Sequence, residues 1–125
     1  MRLLLDTQVV LWQLSGDRDI SNAAKDAISD ARELRFSAVS YAEIGVKVAV
    51  GKLDVPADLI DRVDELGLRT LPLSAEHGLA VADLPVHHRD PFDRLLIAQA
   101  VTERMVVVTA DQRFHDYPVT MIDAS

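Results

Sequence analysis

The uninterrupted apolar run Leu3-Leu4-Leu5, followed at once by Asp6, limits the folds open to this chain more than any other feature. A strand with one solvated face alternates apolar and polar side chains, whereas a continuous apolar run suits a strand covered on both faces. Arg2–Leu5 reads as such a strand, and Val9 to Leu14 follows with helical spacing, so the strand runs straight into a helix. Val106-Val107-Val108 repeats the pattern near the other end. Between them, Ser21 is placed to cap a helix over Asn22–Glu33, where Ala23, Ala24, Ala27, Ile28 and Ala31 recur at three- and four-residue intervals. Arg35–Val39 reads as a second strand, and Ser40 as the cap of a helix from Tyr41 to Val50 that stops at Gly51. Pro56 opens a helix with Leu59, Ile60, Val63 and Leu66 on one face and Gly67 at its end. Leu68–Leu73 is a third strand, and Ser74 caps a helix over Ala75–Ala82. After a loop over Asp83–Asp90, Pro91 starts a helix to Arg104 that is apolar around most of its circumference and so packs deep. Val106–Val108 and Val119–Ile122 complete the strands. The alternation predicts an α/β fold in three layers, a central parallel sheet of four to five strands with helices on both faces and right-handed crossovers.

A chain of 125 residues is expected to be one domain, residues 1–125, because Gly51–Pro56 is too short to divide two and no repeat is visible. Its size allows about two thirds of the unfolded surface to be buried. The absence of cysteine excludes a disulfide framework, a Cys-type zinc site and thiol catalysis, and fits a reducing compartment, so a cytoplasmic location is expected. The apolar stretch of Met1–Asp6 is too short for a signal peptide, and no run approaches the ~20 residues of a membrane helix. A net charge of -7 argues on its own against nucleic-acid binding. That argument reverses if carboxylates hold divalent cations, because the ions then become the anion-binding surface.

Four acids sit where such ions would need them. Asp6 follows Leu3-Leu4-Leu5, Glu43 follows Ala38-Val39-Ser40-Tyr41-Ala42, Asp93 lies in Asp90-Pro91-Phe92-Asp93-Arg94, and Asp111 follows Val106-Val107-Val108-Thr109-Ala110. The carboxyl ends of parallel strands share one sheet edge, so acids far apart in sequence become neighbours there. Crowded carboxylates raise one another's pKa unless a cation compensates. An all-oxygen set without cysteine favours Mg²⁺ or Mn²⁺ over zinc and suits phosphodiester hydrolysis by a metal-activated water. Each acid also has a plain structural reading, since an Asp after a strand is often a turn residue or helix cap. Glu43 fits that reading least, because Glu is a poor turn former and its neighbours Ala42 and Ile44 are apolar.

Four segments now carry a resemblance: Leu3-Leu4-Leu5-Asp6-Thr7; Ser40-Tyr41-Ala42-Glu43-Ile44 with Gly51-Lys52-Leu53; His88 through Ala100, including Asp90-Pro91-Phe92-Asp93-Arg94; and Val108-Thr109-Ala110-Asp111. In this order and spacing the chain resembles the PIN-domain ribonucleases, and among them the VapC toxins of toxin–antitoxin pairs. The resemblance implies a metal-dependent endoribonuclease whose catalytic and metal-binding acids map onto Asp6, Glu43, Asp93 and Asp111, with one or two Mg²⁺ or Mn²⁺ ions. Asp6 would be the central ligand, and Asp116 is an alternative to Asp111 as the fourth acid. It also implies a homodimer, an RNA substrate and a cognate antitoxin whose basic segment would be drawn to the acidic pocket. The target RNA and its cleavage site are not legible.

Other residues carry two readings each. Thr7 and Thr109 orient the adjacent acids or cap helices. Asp90 caps the helix at Pro91 or adds a metal contact. Arg94 binds RNA phosphate or forms a structural ion pair, and Arg89 and Arg113 lie close to the same acids in sequence. His87 and His88 read as solvated loop residues rather than ligands. Trp12 and Phe114 are candidates for stacking on a base, with core or subunit contact as the other reading for Trp12. Among rival enzymes, a haloacid-dehalogenase-like phosphatase needs a second Asp where Gln8 stands, and a receiver domain needs an early acid pair and a late lysine that the tail Met121–Ser125 lacks. A catalytically inactive PIN-like module that binds metal or RNA is the remaining alternative.

Overall fold

The computed structural model describes residues 1–125. Strands β1 (Arg2–Leu5), β2 (Glu33–Ser37), β3 (Arg69–Leu71), β4 (Val106–Thr109) and β5 (Met121–Asp123) form one sheet in the order β3-β2-β1-β4-β5. Every neighbouring pair is parallel, as expected. The helices are α1 (Thr7–Ser15), α2 (Asn22–Asp30), α3 (Ala38–Ala49), α4 (Leu59–Glu65), α5 (Ala75–Ala80) and α6 (Pro91–Glu103), with 3-10 turns at Val81–Asp83 and Gln112–Asp116.

The central position of β1 and β4 explains their unbroken apolar runs. Leu3, Leu5 and Val108 face a core with Val9, Val10, Ala24, Phe36, Ile44 and Val63, drawn from α1 to α4 and β2. Leu4 and Val107 face the opposite core with Leu96, Ile97, Ala100, Met105 and Phe114, built on α6 and the turn after β4. Neither strand has a wet face on which a polar residue could sit. Truncating Leu4 to alanine would open a hole between sheet and α6 at a cost of about 2–5 kcal/mol.

Several boundaries differ from the sequence reading, each for a local reason. Helix α2 ends at Asp30, and Glu33 instead starts β2, where Arg2 Nε and Arg35 Nε both hold its carboxylate, at 2.6 Å and 2.6 Å. Strand β2 stops at Ser37 because the Ser37 hydroxyl accepts the Val39 N–H at 2.9 Å and caps α3. The helix therefore begins at Ala38, and Ser40, expected as the cap, is buried inside it. Pro56 lies in a turn ahead of α4, which starts at Leu59; Leu59 and Val63 are buried while Ile60 and Leu66 are exposed. The edge strands β3 and β5 are shorter than expected, and α5 stops at Ala80.

Helix α6 is apolar around most of its surface, as expected, but at its centre stands a fully buried Gln99. The Ser37 hydroxyl donates to Gln99 Oε1, and Gln99 Nε2 donates to the Pro72 carbonyl at 3.2 Å. A buried amide is tolerated only when its donors and acceptors are matched. Here the match ties α6 to the carboxyl ends of β2 and β3 and so fixes where the first turn of α6 presents Asp93.

Candidate active site

Asp6 sits one residue beyond β1, at the N-cap of α1, yet its side chain makes no capping bond. Its Oδ2 instead accepts the Thr109 hydroxyl at 2.8 Å, and Thr109 Oγ1 accepts the Asp111 N–H at 3.0 Å. The pairing of β1 with β4 brings these residues together: Leu5 is in register with Val108, and the Asp6 N–H donates to the Val108 carbonyl at 2.9 Å. Burial pushes the Asp6 carboxyl up to about 6; Glu43 and Asp111 add to this, while the Thr109 hydroxyl and the Thr7 N–H work against it.

Asp93 lies in the first turn of α6. The helix is capped by Asp90, whose Oδ1 accepts the N–H groups of Phe92 and Asp93 at 2.9 and 3.2 Å. Burial raises the Asp93 carboxyl to about 7, followed by repulsion from Asp90, Asp6, Glu43 and Asp111. Glu43 is on the buried face of α3 with Val39, Ser40 and Ile44, and the Thr7 hydroxyl donates to Ser40 Oγ at 2.7 Å, locking α1 against α3. Lys47, one turn on, meets Glu43 at 3.0 Å. Asp111 caps the 3-10 turn after β4 through the Arg113 N–H, and the Arg113 guanidinium 2.7 Å away holds its carboxyl below the usual range.

These groups line one open cleft of about 330 Å³, together with Gln8, Trp12 and Arg18. Five carboxylates (Asp6, Glu43, Asp90, Asp93, Asp111) face three cations (Arg18, Lys47, Arg113), and no sulfur or imidazole ligand takes part. An all-oxygen donor set with two acids held far above their normal pKa is chemically matched to a hard divalent cation. As the side chains stand, no three of them converge on one point closely enough to grip an ion. Arg113 holds Asp111 and reaches Asp93, and Lys47 holds Glu43.

All four expected acids thus meet at the carboxyl edge of the sheet. The Thr109 hydroxyl bonds directly to Asp6, the Thr7 hydroxyl bonds Ser40 rather than an acid, and Asp90 is a cap that also lines the cleft. Other expectations are corrected. Arg94 lies outside the cleft and is spent on the loop before α6, donating to the Pro85 carbonyl at 2.8 Å, the Val81 carbonyl at 3.2 Å and Tyr117 Oη at 3.3 Å. Asp116 is exposed at the end of its turn, so Asp111 is the acid that faces the others. Phe114 is fully buried and has no face for a base. Trp12 borders the cleft with the Arg18 guanidinium stacked 4.4 Å from its ring centre. His88, expected to be solvated, has both ring nitrogens buried without a partner, edge-on to Tyr117. Lys47 and Arg18 were not singled out by the sequence reading. The four-residue step from Glu43 to Lys47 was a usable signal for the first, whereas Arg18 reaches the cleft only through the tertiary fold.

Comparison with known proteins bears on the family and the fold. The chain is 29% identical to Ribonuclease VapC22 of Mycobacterium tuberculosis, over 95% of this chain and 97% of that protein. Among solved structures, VapBC2 from Rickettsia felis bound to a DNA fragment from their promoter superimposes with a TM-score of 0.74, at 15% identity and full coverage of both chains. FitAcB from Neisseria gonorrhoeae does so with a TM-score of 0.68, at 20% identity over 97% of this chain and 96% of that one. With strands, helices and acid cluster placed as above, and the PIN domain family model matching residues 3–119, this chain belongs to the PIN-domain family.

Proposed function

We propose that residues 1–125 act as one PIN domain, a metal-dependent endoribonuclease that serves as the toxin of a toxin–antitoxin pair. The observation that carries the reading is the convergence of Asp6, Glu43, Asp93 and Asp111, from four separate elements, on a single cleft, where burial pushes the carboxyls of Asp6 and Asp93 above the usual range. Kinship over nearly the whole chain with a protein named as a ribonuclease supports the activity. The fold likeness to solved structures of toxin–antitoxin systems supports an antitoxin partner. No helix is long and apolar enough to cross a membrane.

Asp6, Glu43, Asp93 and Asp111 would hold Mg²⁺ or Mn²⁺, which when bound supplies Lewis-acid activation of a water and charge neutralisation at the phosphodiester. The chain's own contribution is positioning. Thr109 fixes the rotamer of Asp6, and Asp90 holds the first turn of α6 so that Asp93 enters the cleft. Thr7 and Ser40 join the helices that carry Asp6 and Glu43. Arg18, Lys47 and Arg113 offset part of the acidic field that would otherwise repel an RNA backbone. The basic segment expected of an antitoxin is attracted by the same field.

A panel of labelled RNAs incubated with purified protein in Mg²⁺, Mn²⁺ or EDTA, beside Asp6→Asn, tests the proposal. Metal-dependent cleavage abolished by the substitution is the expected result. Absence of cleavage in either metal, by protein shown to be free of antitoxin, would leave a metal- or RNA-binding module in its place.

A further inference from the structure

Arg113 is placed unlike the other cations of the cleft. Its Nε lies 3.1 and 3.2 Å from the two carboxylate oxygens of Asp111, and its Nη2 is 2.7 Å from Asp111 and 3.5 Å from Asp93. It therefore bridges two acids from different elements, whereas Lys47 pairs only with Glu43 one turn away. Its side chain is 57% exposed, so the bridge lies on the solvent side of the open cleft.

A guanidinium and a divalent cation bound by Asp93 and Asp111 would compete for the same oxygen lone pairs and repel each other. We propose that Arg113 is an exchangeable internal counter-ion: it bridges Asp111 and Asp93 while the cluster lacks metal, and it turns to the RNA phosphate when those carboxylates take an ion. The inference rests on the metal-dependent nuclease reading. Three features carry it. The guanidinium is more than half exposed, so it can leave the two carboxylates and stay solvated. The backbone of Arg113 is anchored independently of its guanidinium, because its N–H bonds Asp111 Oδ1 and the next residue, Phe114, is fully buried, so a released side chain stays at the cleft rim. Its planar fork of donors is suited to a phosphate, a ligand that the five surrounding carboxylates would otherwise repel.

The test measures binding rather than turnover. Mn²⁺ is titrated by calorimetry into the wild-type chain, Arg113→Gln, Arg113→Lys and, as a charge control, Lys25→Gln, which removes a cation from the exposed Lys25–Asp19 pair. Affinity for a fluorescent single-stranded RNA is measured in EDTA and in Ca²⁺, with the RNA checked for integrity. Arg113→Gln is expected to bind Mn²⁺ at least about fivefold tighter, since the upper end of what a surface ion pair contributes is the least that this half-exposed bridge withholds from the ion. It should bind RNA at least fivefold more weakly in Ca²⁺ yet equally in EDTA. Arg113→Lys should lie between, and Lys25→Gln should match wild type. Unchanged or weaker Mn²⁺ binding by Arg113→Gln, or the same loss of RNA affinity with and without Ca²⁺, would overturn the proposal. Absence of Mn²⁺ binding by wild type itself would overturn the metal reading beneath it, a result distinct from equal binding by both proteins.

Discussion

Asp6→Asn should abolish cleavage and, in the absence of metal, make the protein more stable. The carboxyl of Asp6 moves from 3.8 to about 6 on folding, chiefly through burial. Because the folded value lies above the unfolded one, the group favours the folded state fully below pH 3.8 and loses that contribution as pH rises through about 6. At about 1.4 kcal/mol per unit, the ionised group leaves the fold about 3 kcal/mol less stable at pH 8 than a residue without the shift. Asparagine keeps the shape and can accept from Thr109, but the exchange of a charged for a neutral acceptor costs about 1 kcal/mol, leaving a net gain of about 2 kcal/mol. For 125 residues this corresponds to a rise in Tm of about 8 °C. The assay is thermal unfolding in EDTA at pH 8 and pH 4.5; at the lower pH wild-type Asp6 is mostly protonated and the gain should shrink to about zero. Excess Mn²⁺ should stabilise wild type and leave Asp6→Asn unmoved. Loss of stability at pH 8, or a gain that is the same at both pH values, would refute the argument from burial.

Other consequences are independent of that one. Mn²⁺ affinity should climb steeply between pH 5.5 and 8, because Asp6 at about 6 and Asp93 at about 7 must lose protons to bind. Calorimetry in buffers of different ionisation enthalpy should register proton release near pH 6, and a flat profile would contradict the shifts. Thr109→Val removes the hydroxyl that orients Asp6 and should weaken Mn²⁺ binding about tenfold at pH 6 while the fold survives. Arg94→Gln should lower stability by about 1–2 kcal/mol through the loop it ties down and leave RNA affinity unchanged; the opposite pattern in denaturation and binding would restore it as a phosphate contact. Arg104 caps α6 with φ at 56°, so Arg104→Gly should raise stability by about 1 kcal/mol in urea unfolding.

What the sequence showed and what it hid divide along the range of the interactions. Leu3-Leu4-Leu5 and Val106-Val107-Val108 announced strands covered on both faces because burial on two sides leaves no position for a polar residue. The acids were legible as a set because Asp6 and Asp111 follow apolar strands and Glu43 and Asp93 lie in largely apolar helices, although each Asp taken singly also reads as a turn residue or cap. Boundaries failed where one hydroxyl among several could cap. Ser40 is the cap expected from sequence, whereas the Ser37 hydroxyl accepts the Val39 N–H and is itself held by Gln99, 62 residues away, a partner that local sequence does not reveal. Arg94, open between a phosphate contact and an ion pair, and Phe114, a stacking candidate, were undecidable for the same reason: their partners, the Val81 and Pro85 carbonyls and the core under β4, are tertiary neighbours.

The position of Asp6 shows why this site depends on the whole sheet. It follows the most central strand, and its partner Thr109 ends the adjoining one, so the contact exists only in the observed register of Leu5 with Val108. A slip of one residue would turn Leu4 and Val107 into the wrong cores and carry Thr109 away from Asp6, so the apolar pattern that secures the fold also specifies the site. The arrangement is unfavourable without metal, since Asp6 and Asp93 are buried among like charges. Strands packed on both faces can carry that local cost, and the same burial makes the cluster receptive to a divalent ion. Stability and metal affinity should therefore change in opposite directions when Asp6 is neutralised, whereas a purely structural carboxylate would lose stability on substitution and show no coupling to metal.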